Sequence, residues 1–128
     1  MLLALLLAAA PMPTPQLTVT FSTPPEVHFN RRGDSTLTVW LGKTSQVVTL
    51  NGVPDPTDPR NVYLRLNPAA LAFPANFSGP VKLSARLYLC DAQNGICTVE
   101  EHEKQIKVRA GRKLELVWKV GEDNRLQF

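Results

Sequence analysis

Apolar side chains recur at every second position along most of this chain, and that period confines it to β-strands. Leu17, Val19 and Phe21 alternate with Thr18 and Thr20. Val27 and Phe29 follow a Thr-Pro-Pro break, and Leu37, Val39 and Leu41 alternate with Thr36, Thr38 and Trp40. Val48 with Leu50 repeats the pattern, as do Val62, Leu64 and Leu66 against Tyr63 and Arg65. The longest run is Val81, Leu83, Ala85, Leu87 and Leu89, and the last is Leu114, Leu116, Trp118 and Val120. Successive side chains of a strand point to opposite faces, so each run reads as a half-buried strand with one apolar and one wet face. No stretch reads as an amphipathic helix. Residues 67–80 hold at most one helical turn, between Pro68 and Pro74.

Turn chemistry separates the runs: residues 30–35 (NRRGDS), 42–45 (GKTS), 51–60 (NGVPDPTDPR), 110–112 (AGR) and 121–124 (GEDN). The Arg32–Ser35 stretch matches an adhesion tetrapeptide, but four residues recur by chance, and it reads as a hairpin turn using Gly33. A chain of 128 residues fits one domain. About seven to nine short strands over residues 17–128 indicate an all-β fold, an antiparallel immunoglobulin-like β-sandwich. It is not an antibody-type domain, because its two cysteines stand seven positions apart rather than bridging distant strands.

The first ten residues, MLLALLLAAA, carry no charge. They are too few to span a bilayer, which needs about 20 apolar residues. Their length suits the apolar core of a signal peptide or an anchor, and Ala8-Ala9-Ala10 resembles a small-residue cleavage site. Pro11, Pro13 and Pro15 make residues 11–16 a stiff, extended linker. Export to the periplasm or cell envelope is the expectation, with membrane contact only through an uncleaved N-terminal segment. The net charge is +3, with no basic run interleaved with aromatics, so nucleic acid is not an expected partner. The chain reads as a monomer that needs no cofactor and no metal. Glu101-His102-Glu103 looks like a metal cluster, but on a strand the histidine points away from both glutamates. His28 reads as an isolated outward residue of its strand. Trp40, on the wet phase, reads as either covered by other elements or part of a partner-binding patch.

Chemistry concentrates in Cys90 and Cys97, the only cysteines of the chain. In an oxidising compartment two such neighbours pair. Strands over 81–90 and 97–109 flank DAQNGI, which reads as a hairpin loop. A two-residue turn at Asn94-Gly95 makes the cysteines diagonal neighbours, too far apart for an easy bridge. A wider loop sets them directly opposite, about 4.5–5.5 Å apart at Cα, and this register is expected. Val99 and the pair Ile106 and Val108 lie on opposite phases, which predicts a bulge between them. Cys90 shares the even-numbered phase with Ser84, Arg86 and Tyr88, so its sulfur is expected near the surface, partly shielded by Tyr88. Two readings stay open on these residues: a clip that closes a hairpin, or a redox pair that exchanges with a partner's thiols. Asp91, Glu100 and Glu101 are expected to oppose thiolate formation, while the orientation of His102 and Lys104 is undetermined.

The stretch from Val81 to Val108, VKLSARLYLCDAQNGICTVEEHEKQIKV, resembles the cysteine hairpin of the N-terminal domain of the thiol–disulfide interchange protein DsbD and related domains. In that family a strand ending in aromatic-x-Cys leads through a short Gly-containing loop to a second cysteine. The resemblance implies an immunoglobulin-like sandwich that relays electrons to or from a thioredoxin-fold or transmembrane thiol–disulfide exchange protein. It further implies that Cys97 forms the mixed disulfide with the partner and that Cys90 resolves it. The loop here has six residues where five is usual, and TVEEHEK replaces an aromatic- and proline-rich segment. An aromatic flap covers the pair in that family; here Phe73 or Phe77 is assigned that part, with Tyr88. The alternative outside this family is a non-catalytic binding or structural sandwich whose bridge only clips a hairpin.

Overall fold

The computed structural model describes residues 17–74 and 76–121. The leader-like residues 1–10 and the linker 11–16 lie outside the described residues. Ten strands are present among the described residues: β1 (Leu17–Ser22), β2 (Val27–Asn30), β3 (Thr36–Leu41), β4 (Thr44–Thr49), β5 (Gly52–Pro54), β6 (Val62–Leu66), β7 (Ala69–Leu71), β8 (Gly79–Asp91), β9 (Cys97–Val108) and β10 (Leu114–Lys119). The protein is an all-β sandwich. A three-stranded sheet, β10-β1-β7, faces a seven-stranded sheet ordered β4-β3-β8-β2-β6-β5, with β9 on the other edge of β8. One pairing departs from the antiparallel expectation: β1 and β10 run parallel, from Leu17 opposite Leu114 to Ser22 opposite Lys119.

The expected alternation is carried furthest by β8. Val81, Leu83, Ala85, Leu87 and Leu89 are all fully buried. Against them pack Leu17, Val19 and Phe21 of β1 and Trp118 of β10, with the Phe21 and Trp118 rings stacked at 5.5 Å. Four of the β8 side chains are Leu or Val. Burying each contributes about 1.5–3 kcal/mol, roughly 6–12 kcal/mol in all.

Four expectations need correction. Residues 69–71 form a strand, not a helical turn, because Ala69 and Leu71 bury themselves by pairing with Val19 and Leu17. No bulge interrupts β9: it pairs with β8 in one unbroken register from Gly79 opposite Val108 to Cys90 opposite Cys97. Val99 simply faces solvent at 45% exposure, while Ile106 and Val108 face the core. The break in register falls instead between Val53 and Pro54, where β5 meets β6. Leu64 is exposed, because pairing sets Tyr63 opposite the buried Phe29 and turns Leu64 outward.

The fourth correction concerns Gly33. Residues 31–35 do not turn a hairpin. β2 and β3 both pair antiparallel with β8, at Leu89–Asp91 and Lys82–Arg86, so they lie in line along one edge of it. The segment between them bulges past Leu87 and Tyr88. Ser35, buried there, accepts the Tyr88 backbone N–H through its hydroxyl at 3.1 Å and the Leu50 N–H through its carbonyl at 2.9 Å. The Tyr88 ring lies over Gly33, where a Cβ would stand 2.5 Å from Tyr88 Cγ. Gly33 has no positive φ, so close approach, not backbone freedom, requires glycine there. Gly33→Ala is therefore expected to cost about 1–3 kcal/mol by overpacking. Urea unfolding checks this, and in a Tyr88→Ala background the penalty should largely disappear.

Candidate thiol–disulfide site

Cys90 ends the core-facing stretch of β8, and Cys97 opens β9. They stand directly opposite each other, as the wider-loop register requires, and are joined by a disulfide with S–S 2.06 Å and Cα–Cα 3.9 Å. The Asp91 N–H donates to the Ile96 carbonyl at 2.8 Å, which makes 91/96 a hydrogen-bonded pair. The next pair, 90/97, is then of the closely spaced, non-hydrogen-bonded kind.

Asp91 organises the loop with hydrogen bonds of its own. Its buried carboxylate accepts the Gln93 N–H at 2.8 Å, and its carbonyl accepts the Gly95 N–H at 2.8 Å. Asn94 Oδ1 accepts the Ile96 N–H at 2.9 Å. Gly95 sits at φ 72°, a conformation that glycine adopts without a Cβ penalty. The Ala92 N–H reaches across to the Glu26 carbonyl at 2.7 Å, tying the loop to β2.

The bridge lies on the outer face of the larger sheet. Cys90 is half-buried and Cys97 exposed. Tyr88 shares that face two residues along, half-buried, with the Arg86 guanidinium 5.8 Å from its ring and exposed Val99 as its partner on β9. Phe73 and Phe77 are not brought to the pair. Phe73 is in the core, its ring 5.6 Å from that of Phe77, and Phe77 packs beside Gly79 at the start of β8. At about 3.3 Å per residue, that is the far end of the strand from Cys90.

Charge is sorted by face, which corrects the expected acidic surroundings of the sulfurs. Pairing of Cys90 with Cys97 puts odd positions of β9 outward and even positions inward. Glu100 and His102 are therefore on the inner side. Glu100 Oε1 lies 2.8 Å from His102 Nε2 and accepts the Gly121 N–H at 3.2 Å. The His102 ring meets Trp118 edge-on at 6.4 Å, and Lys104 Nζ lies 5.5 Å from the Trp118 ring. Asp91 is turned inward as well. Of the expected acids only Glu101 shares the outer face, where it pairs with Arg86 at 3.4 Å. Glu103 likewise pairs with Lys82, at 3.6 Å, so Glu101 and Glu103 both point away from His102 as alternation demands. Among the described residues no cluster of three or more His, Cys, Asp or Glu is arranged to hold a metal ion.

One residue enters the site that its sequence neighbourhood did not indicate. His28 of β2 stands directly opposite Cys90, so imidazole and disulfide share the outer face. The two positions are 62 residues apart, and only the pairing of β2 with β8 joins them. The one available signal was phase: each sits on the polar side of its own strand. Nearby, Asp55 in the loop after β5 has its carboxyl held below the ordinary 3.8. The Thr57 hydroxyl and then the Thr57 backbone N–H do most of this, and the charge of His28 adds to it.

No protein-family model and no curated protein matches this chain.

The bridge closes a loop of about eight residues, which corresponds to roughly 2.5 kcal/mol in the chain-entropy account. That is small beside the burial on β8. The reduced protein, and a Cys90→Ala/Cys97→Ala variant, are expected to keep the native circular dichroism and to unfold in urea at a midpoint lowered by about that free energy. Loss of native structure on reduction would contradict this.

Proposed function

We propose that this domain is a thiol–disulfide exchange module that relays electrons through Cys90–Cys97 to or from a thioredoxin-fold partner, outside the reducing cytosol. One observation carries the reading: the bridge lies on the open face of the sheet with Cys97 exposed, next to a loop that Asp91 already organises. A bridge needed for stability gains most from closing a long loop or joining two sheets, and this one does neither. The resemblance of residues 81–108 to the DsbD-type cysteine hairpin supports the same reading, and the leader-like residues 1–10 support export.

The exchange balances as follows. A partner thiolate attacks Sγ of Cys97, the accessible sulfur. The Cys90–Cys97 bond breaks and its electron pair leaves with Cys90 as thiolate, giving a mixed disulfide between Cys97 and the partner. The partner's second thiolate then attacks its own bridged sulfur and Cys97 departs as thiolate. The partner has lost two electrons and the module has gained two; the reverse sequence oxidises the module.

Equilibration in glutathione or dithiothreitol buffers with a count of free thiols tests this. A midpoint above about −250 mV, with the fold retained, is expected of an exchange site; one far below about −300 mV marks a structural clip and overturns the proposal. The two sulfurs are also expected to differ. Cys90→Ala, which leaves Cys97 without its resolving thiol, should accumulate a mixed disulfide with a thioredoxin variant that lacks its second cysteine and carries a thionitrobenzoate leaving group on the first. Cys97→Ala should trap several-fold less, because the remaining Cys90 is half-buried.

A further inference from the structure

Exchange through this pair requires Cys90 to leave as a thiolate, and a thiolate on a strand face needs a neighbouring positive charge to form readily near neutral pH. The expected cations do not supply it: Lys104 and His102 are on the inner side, and Arg86 is held by Glu101 and stands over Tyr88. The register supplies another. His28 and Cys90 are cross-strand partners. The backbone groups of Cys90 point away from β9, since 90/97 is the non-hydrogen-bonded pair, so they point toward β2. The neighbouring bond from Ala92 N–H to the Glu26 carbonyl falls in the same phase. Side chains of such a pair rise from one face with Cβ atoms about 5.5 Å apart, within reach of contact between an imidazole and a sulfur.

We infer that His28 is the group that holds a proton beside Cys90, stabilising the Cys90 thiolate when the disulfide opens. The inference deepens the exchange reading and rests on it for its biological use. In the first step above, the electron pair arrives on Cys90 while the imidazolium of His28 stands next to it. On return, Cys90 attacks the mixed disulfide from the same ion pair. Cys97, one strand further away, lacks this neighbour, so the two sulfurs divide the work: Cys97 is the one met by the partner, Cys90 the one that departs and returns.

The surroundings of His28 are limited. β8 presents Cys90 and, beyond it, β9 presents Cys97. The chain just before β2 presents Glu26, and the loop after β5 presents Asp55. Continuing the β2–β6 register sets uncharged Leu64 on the remaining side, and Arg31 is occupied against Tyr63 at 5.5 Å. The nearest outer-face charge pair, Arg86 with Glu101, is two positions away beyond Tyr88.

The test is alkylation of the reduced full-length protein with iodoacetamide from pH 5.5 to 9.5, with the rate at each cysteine read by peptide mass spectrometry. Near pH 6.5, Cys90 should react roughly tenfold more slowly in His28→Gln than in wild type. The curves should converge above about pH 9, where the thiolate forms unaided. His28→Lys, which keeps a cation, should recover most of the rate, and Cys97 should be unchanged in both variants. A Cys90 profile that superimposes on wild type, or one slowed equally at every pH, overturns the inference. A second readout needs no variant. The chain has two histidines, and His102 lies on the inner side, so it serves as an internal control. In proton NMR the titration of His28 should shift on reduction while that of His102 does not; no shift at His28 overturns the inference. An unchanged alkylation profile with thioredoxin exchange intact removes His28 and leaves the exchange reading standing. A shifted profile in a protein that forms no mixed disulfide does the reverse.

Discussion

The sandwich depends on β8 being occupied along both edges and covered on one face. On one side β9 pairs with it through its whole length, and on the other β2 and β3 share it end to end. Its inner side chains are without solvent exposure from Val81 to Leu89. A strand held this way cannot shift by one residue, because a slip would carry five core side chains onto the wet face. Every outer-face position is thereby fixed as well. Trp40 beside Lys82, Arg86 beside Glu101, Tyr88 beside Val99 and the row His28, Cys90, Cys97 follow from one register. The geometry of the candidate site is therefore a consequence of core packing rather than of contacts within the site.

Much of this was legible in the alternation. The strand runs and the wet phase of Cys90 follow from a period of two, and of the two registers the loop allows, the structure holds the one in which a bridge fits directly across the pair. The hidden part lay in neighbour relations. Nothing in Thr-Pro-Pro-Glu-Val-His-Phe says that β2 pairs with the end of β8, so His28 read as isolated. The stretch around Gly33 carries every mark of a hairpin turn, yet it joins two strands that share an edge. Its glycine answers to a tyrosine ring 55 positions away. Val99 misled in a different way. An apolar residue on the wrong phase predicts a bulge, yet Val99 stays on the wet face opposite Tyr88. Scattered exposed apolar residues are ordinary on folded surfaces.

β9 shows how alternation governs electrostatics as well as burial. Five charged or titratable residues from Glu100 to Lys104 look like one cluster when read along the chain. In the fold, Glu100, His102 and Lys104 gather around Trp118 and Gly121 on the inner side, while Glu101 and Glu103 pair with Arg86 and Lys82 outside. Those outer pairs are exposed and contribute little to stability. Their effect on the cysteines is positional: they keep the nearest carboxylate engaged with a guanidinium.

The end of β8 completes the separation between what holds the fold and what the site does. After Leu89 the next inner-phase residue is Asp91, a buried carboxylate at the point where the core stops. By accepting the Gln93 and Gly95 N–H groups, on its side chain and carbonyl respectively, it closes the loop with local hydrogen bonds. The ladder below has its own unbroken pairing, and the loop above has the hydrogen bonds of Asp91 and Asn94. Cys90 and Cys97 stand at the junction of these two elements, on the face the core does not use. Breaking a sulfur–sulfur bond there is expected to cost the chain-entropy term of a short loop and to leave the buried side chains of β8 in place. Under the proposed exchange, a bridge that opens and closes is best placed where neither state disturbs the core, and Asp91, between Cys90 and the loop, marks that place.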